Sequence, residues 1–134
     1  MQWLIDIIKD WSAEQGYLTA SFVDRGDTTL PDWDHLTLTL DNAWHELDLS
    51  AIVPANATAV SILCIMNGDA VGRRISLRKS GNANEGNMSI RTTNVANTVG
   101  QHDMVVAASA NQIIDYKITT GWNILILVVK GWWL

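Results

Sequence analysis

The sequence predicts an all-β chain, an antiparallel β-sandwich of jelly-roll type with about eight strands, preceded by a short N-terminal amphipathic helix. Three observations predict it. From Tyr17 onward apolar residues either alternate with polar ones or form short continuous runs, and turn residues break them every ~8–12 positions. No strand-like run is followed by a crossover-helix pattern, which excludes a parallel α/β sheet. The 134 residues amount to one domain, long enough to bury a core without disulfide or metal staples.

Residues 1–16 read as the helix: Trp3, Leu4, Ile7, Ile8 and Trp11 recur at three-to-four spacing opposite Asp6, Lys9, Asp10 and Glu14, and Gly16 is the stop. So short a helix is marginal alone and must lay its stripe on something. Residues 17–134 form the sandwich. HLTLTL at 35–40 gives the cleanest half-buried strand, with Leu36, Leu38 and Leu40 alternating with Thr37 and Thr39. The turn Asp41-Asn42-Ala43 leads to WHELDLS, where Trp44, Glu46 and Asp48 oppose His45, Leu47 and Leu49.

Beyond Pro54, AVSILCIMN reads as a strand covered on both faces, and Asn67-Gly68-Asp69 as a turn. RRISLRK and NMSIRT follow, joined by SGNANEG as an exposed hairpin loop; then come DMVVAAS, QIIDYKIT and the doubly apolar NILILVVK. Keeping apolar faces together pairs Ile75 with Ile90 and Leu77 with Met88, which sets Arg74 opposite Arg91. Trp44, Leu47, Leu49, Val60, Ile62, Leu125 and Leu127 are expected in one core.

At 48% hydrophobic and 17% charged, the composition excludes a disordered chain, and every apolar run is too short to span a bilayer as a helix. The lone Cys64 excludes an intramolecular disulfide framework and a cysteine-rich zinc site. The opening MQWLIDIIKD lacks a basic leader and carries Asp6 inside its apolar run, which reads against a secretory signal. Residues 1–50 hold ten acids against Lys9 and Arg25, a balance of −8, so with a total of −5 the remainder carries +3. A chain this acidic is not expected to bind nucleic acid, and the helix's acidic polar face is not expected to bind anionic membranes.

Arg74 and Arg78 share a strand face with Ser76, and Arg91 joins them in the expected register. That trio fits an anion or acidic-partner site, although a solvated face paired with acids from residues 1–50 is the more economical reading. Asp24, Asp27, Asp32 and Asp34 gather around Arg25-Gly26 and could wrap a hard cation, yet their spacing is not that of an EF-hand loop. His35, His45 and His102 lack metal-ligand spacing, and Cys64 sits mid-strand as an inert small hydrophobe. No nucleophile elbow, phosphate loop or dinucleotide fingerprint occurs, so no catalytic residue, cofactor or metal is assigned.

Seven tryptophans are the compositional oddity. Trp122, Trp132 and Trp133 could form a sugar-stacking platform. Burial at a subunit interface or under the N-terminal helix, whose Trp3 and Trp11 also need cover, fits better, because the C-terminal segment mostly lacks a polar rim. The expected interface is therefore Trp3, Leu4, Ile7, Ile8, Trp11, Trp122, Trp132 and Trp133.

The stretch WHELDLSAIVPANATAVSILCIMN, followed by ISLRKSGN and the terminal VVKGWWL, resembles small β-sandwich proteins of tailed bacteriophages and environmental viral sequences. The resemblance covers about residues 35–133 and rests on strand and turn residues. It implies a virion component such as a head decoration, fibre or tail module, assembled as a symmetric homo-oligomer and found in the virion or in host cytoplasm during assembly. The expected function is non-enzymatic, acting through protein surfaces; the helix stripe with two tryptophans and the C-terminal cluster of three are more aromatic surface than so small a monomer leaves uncovered, so a homo-oligomer is expected, with a trimer preferred. The rivals are a carbohydrate-binding module and a small metal-dependent hydrolase.

Overall fold

The computed structural model describes residues 2–7 and 21–134. Residues 2–7 are helical and leave Trp3, Leu4 and Ile7 exposed. Ile8, Trp11 and the Gly16 stop lie outside the described residues.

Among the described residues the rest is two antiparallel sheets built from nine strands. These are β1 (Phe22–Asp24), β2 (Trp33–Asp34), β3 (His45–Asp48), β4 (Ala59–Gly68), β5 (Arg74–Lys79), β6 (Ser89–Thr92), β7 (Gly100–Ala107), β8 (Ile113–Ile118) and β9 (Trp122–Trp133). One sheet runs β1-β9-β4-β7, with β2 also on β9. The long β9 accommodates both, β1 opposite Gly131–Trp133 and β2 opposite Ile126–Leu127. The other sheet runs β3-β8-β5-β6. Leaving β2 aside, the strands pair from the outside of the sequence inward: β1 with β9, β3 with β8, β4 with β7, β5 with β6.

Strand alternation builds the core directly. Val60, Ile62, Cys64 and Met66 on β4 face Leu125, Leu127 and Val129 on β9, while Ile75 and Leu77 of β5 join Ile114, Tyr116 and Ile118 of β8 from the other sheet. Leu47 and Leu49 are buried with them, so six of the seven expected core residues take their places. Trp44 does not. It lies one residue out of phase with His45 and Leu47 and ends half-buried on the outer face of the four-stranded sheet.

HLTLTL is not a strand. The Asp34 carboxylate accepts the N–H groups of Leu36 at 2.9 Å and Thr37 at 3.0 Å, and the Asp34 carbonyl accepts those of Thr37 and Leu38. This capped turn overrides the period-two pattern. Leu38 is buried, whereas Leu36 is 81% exposed.

The β5–β6 register also differs by one residue from the expected one. Ile75 opposes Arg91, Ser76 opposes Ile90, Leu77 opposes Ser89, and Arg74 opposes Thr92 instead of Arg91. Matching apolar faces presumes that both strands are covered, but β6 is the sheet edge. There the inward-facing Arg91 turns its guanidinium to the carbonyls of Ile90 (2.9 Å) and, on β7, Asp103 (3.1 Å).

Candidate functional site

Two surfaces stand out, one on each sheet. The outer face of the four-stranded sheet carries Trp44 and Glu46 from the β3 segment, Asp115 and Lys117 from β8, Arg74, Ser76 and Arg78 from β5, and Ile90 from β6. Register fixes their arrangement: Lys117 and Ile90 stand opposite Ser76 from either side, and Asp115 stands opposite Arg78. Arg74 and Arg78 lie two residues either side of Ser76, so three cations surround one serine that is 5% exposed. Arg78 donates from Nε to Asp115 Oδ2 at 2.9 Å and lies 3.9 Å over the Trp44 ring, a position that a flat guanidinium fills well. Lys117 Nζ is 5.8 Å from the same ring. Among the described residues neither Arg74 nor Lys117 forms an ion pair.

These side chains floor a groove of about 210 Å³, walled by Trp44 and Asn42 on one side and by Ala83, Glu85, Met88 and Ile90 on the other. The second wall is the loop after β5. Gly81 turns it at a φ of 92°, a left-handed conformation that favours glycine, and Glu85–Asn87 closes it with one 3-10 turn. The expected trio of Arg74, Arg78 and Arg91 is thus corrected: the one-residue shift sends Arg91 to the inner face, and Lys117 takes its place. DYK in β8 already set Asp115 and Lys117 on one face, but nothing local said that β8 would lie beside β5.

The second surface is the outer face of the five-stranded sheet. Leu63 and Ile65 of β4 stand opposite Val128 and Ile126 of β9, with Ile124 beside them, and all five are half-buried. Asn67, Gln101, Asp34 and the Lys130–Asp103 ion pair (3.0 Å) rim this apolar centre. The five apolar side chains keep part of their surface accessible among the described residues, whereas the doubly apolar sequence of β4 and β9 led one to expect full cover.

The remaining candidates do not converge. Trp122 and Trp132 pack against the core from opposite ends of β9, and Trp133 meets the Phe22 ring in a tilted contact at 4.9 Å, so the C-terminal tryptophans make no shared platform. Strand rise, about 3.3 Å per residue, carries Trp122 away from the other two, and side-chain alternation sends the neighbours Trp132 and Trp133 to opposite faces. Asp32 pairs with Arg25 and accepts the Val129 N–H at 2.8 Å, Asp34 caps its own turn, and Asp24 accepts from Gly26. No cluster of metal-binding side chains exists among the described residues.

His35 Nδ1 faces the Leu125 N–H, and His45 bonds Asp41 at 2.8 Å, holding that carboxyl below its usual range together with the Ala43 N–H. His102 stands directly opposite Cys64 on the β4–β7 ladder. Burial nevertheless pushes the thiol up to about 12, so it stays protonated and is no nucleophile at neutral pH. Comparison with protein-family models, curated proteins and solved structures returned no match for this chain.

Proposed function

We propose that the chain is a non-enzymatic assembly protein, a jelly-roll sandwich that forms a homo-oligomer through the apolar outer face of its five-stranded sheet. The jelly-roll reading is supported by the nested pairing, β2 left aside, of β1 with β9, β3 with β8, β4 with β7 and β5 with β6, which is an antiparallel ribbon rolled into two sheets.

The observation that carries the assembly reading is the second apolar face of β4 and β9. Central strands apolar on both sides belong in a sheet covered on both sides, and the patch of Leu63, Ile65, Ile124, Ile126 and Val128 inside a polar rim has the anatomy of a protein interface. The exposed Trp3, Leu4 and Ile7 form a second apolar element of different shape. A helix of one copy on the sheet face of the next makes a heterologous contact that closes as a ring, and three copies are the preferred closure. A place in a phage virion, as head decoration, fibre or tail module, rests on the resemblance of residues 35–133.

Light scattering of the intact chain tests the assembly. It is expected at a multiple of 14.8 kDa. The double variant Ile65→Lys/Ile126→Glu, whose new charges face each other across the ladder and so spare the fold, is expected to run as a folded monomer. A stable monomer of the intact chain at micromolar concentration would end the proposal.

A further inference from the structure

We propose that the groove over Ser76 binds an acidic saccharide, a sugar ring bearing one carboxylate. The site is separate from the apolar face and lies on the opposite sheet, so it stands or falls independently of assembly.

Charge comes first. The chain carries −5 overall, yet the groove is lined by Arg74, Arg78 and Lys117 against Glu85 alone. Arg78 is committed to Asp115 and Trp44, which fixes its guanidinium at one wall. Arg74 and Lys117 are left to meet a ligand anion, and they approach the Ser76 floor from two different strands. A planar guanidinium beside an ammonium suits one carboxylate, accepting two directed N–H donors from the arginine and a point charge from the lysine.

The rest of the lining discriminates between kinds of acid. Glu85 would repel a second carboxylate, which disfavours a run of acidic side chains, but it accepts hydrogen bonds from hydroxyls. Asn42 and Ser76 can both donate and accept, as a polyol requires. Trp44, Met88 and Ile90 give the groove apolar flanks against which the C–H faces of a sugar ring can rest. The cavity of about 210 Å³ is small and suits one ring, not an extended peptide.

The test begins with the full chain on an immobilised panel of uronic-acid, sialylated and neutral glycans. Titration calorimetry then compares the tightest acidic member with its neutral counterpart lacking the carboxylate, and with a tri-aspartate peptide. The acidic glycan is expected to bind, and more weakly as salt is raised; the neutral counterpart should bind at least about tenfold more weakly, the value of one charge-assisted hydrogen bond. Arg74→Ala/Lys117→Gln should lower affinity by a similar factor or more while the melting temperature holds. Should that pair fail to fold, Arg74→Gln alone, at an exposed position whose strand hydrogen bonds are all from the backbone, carries the same expectation. Absence of binding to every acidic glycan, equal binding of the neutral counterpart, equal binding of tri-aspartate, or full affinity in the folded variant would each overturn the proposal.

Discussion

Replacing Ile62 by Ala probes the sandwich at its centre. Ile62 is fully buried on β4, between Met104 of β7 and Val129 of β9, which are also fully buried. The change deletes three carbons, a transfer loss of about 2.4 kcal/mol at about 0.8 kcal/mol per buried methylene. It also leaves a void of roughly 80 Å³, and at about 24 cal/mol per Å³ a rigid cavity would add about 2 kcal/mol. The ladder on either side of Ile62 limits collapse, so the expected loss is about 3–4 kcal/mol.

Urea denaturation followed by tryptophan fluorescence and by circular dichroism measures it, with the midpoint shifting at constant slope. Leu36→Ala is the paired control. Leu36 is 81% exposed on the Asp34-capped turn, and its truncation should change stability by less than about 0.5 kcal/mol. A loss below about 0.5 kcal/mol for Ile62→Ala would place Ile62 in solvent and misphase β4. A loss of about 2 kcal/mol or more for Leu36→Ala would restore the 35–40 strand and refute the turn.

Gly131→Ala should destabilise by about 1–3 kcal/mol, because a β-carbon there would overlap the Val23 carbonyl oxygen and the Phe22 ring, forcing β1 off the end of β9; a lower melting temperature checks it, and an unchanged one would mean that β1 does not seat there. Cys64 gives a pH signature. Burial raises its folded pKa from an ordinary 9.0 to about 12, so the unfolded chain loses the proton first; its contribution is intact below about pH 9 and is lost as pH rises towards 12. The slope of unfolding free energy against pH above 9 should therefore be steeper in the native chain than in Cys64→Ala, by up to about 1.4 kcal/mol per unit, and a native thiol that reacts as fast as a free one at pH 8 would contradict the burial.

How much of this was legible in advance varied with the range of the interaction that decided it. AVSILCIMN and NILILVVK announced two central strands because each is a near-continuous apolar run with apolar residues on both sides, and β4 and β9 are those strands. RISLRK declared its own inner and outer faces, and the loop glycines marked the hairpin that follows. HLTLTL misled because its alternation is a local signal, and a stronger local one stood immediately before it, the Asp34 carboxylate that closes a turn on the N–H groups of Leu36 and Thr37. Trp44 was expected in the core although its phase with Glu46 and Asp48 placed it outside, and the structure follows the phase.

From the sequence alone came the all-β class, the strand positions from residue 44 onward, the core faces of β4, β5 and β9, and the inert Cys64 at the centre of an apolar strand; the core face of β6 was read the wrong way round. The correct readings follow from periodicity and burial, which are properties of short segments. Which strands are neighbours is fixed by the packed fold, and with it the β5–β6 register, the exit of Arg91 to the inner edge, and the arrival of Lys117 and Trp44 beside Arg74 and Arg78. Pairing across sequence separations such as that between Arg78 and Asp115 depends on which ladders can form together around one core, and no segment carries that information alone.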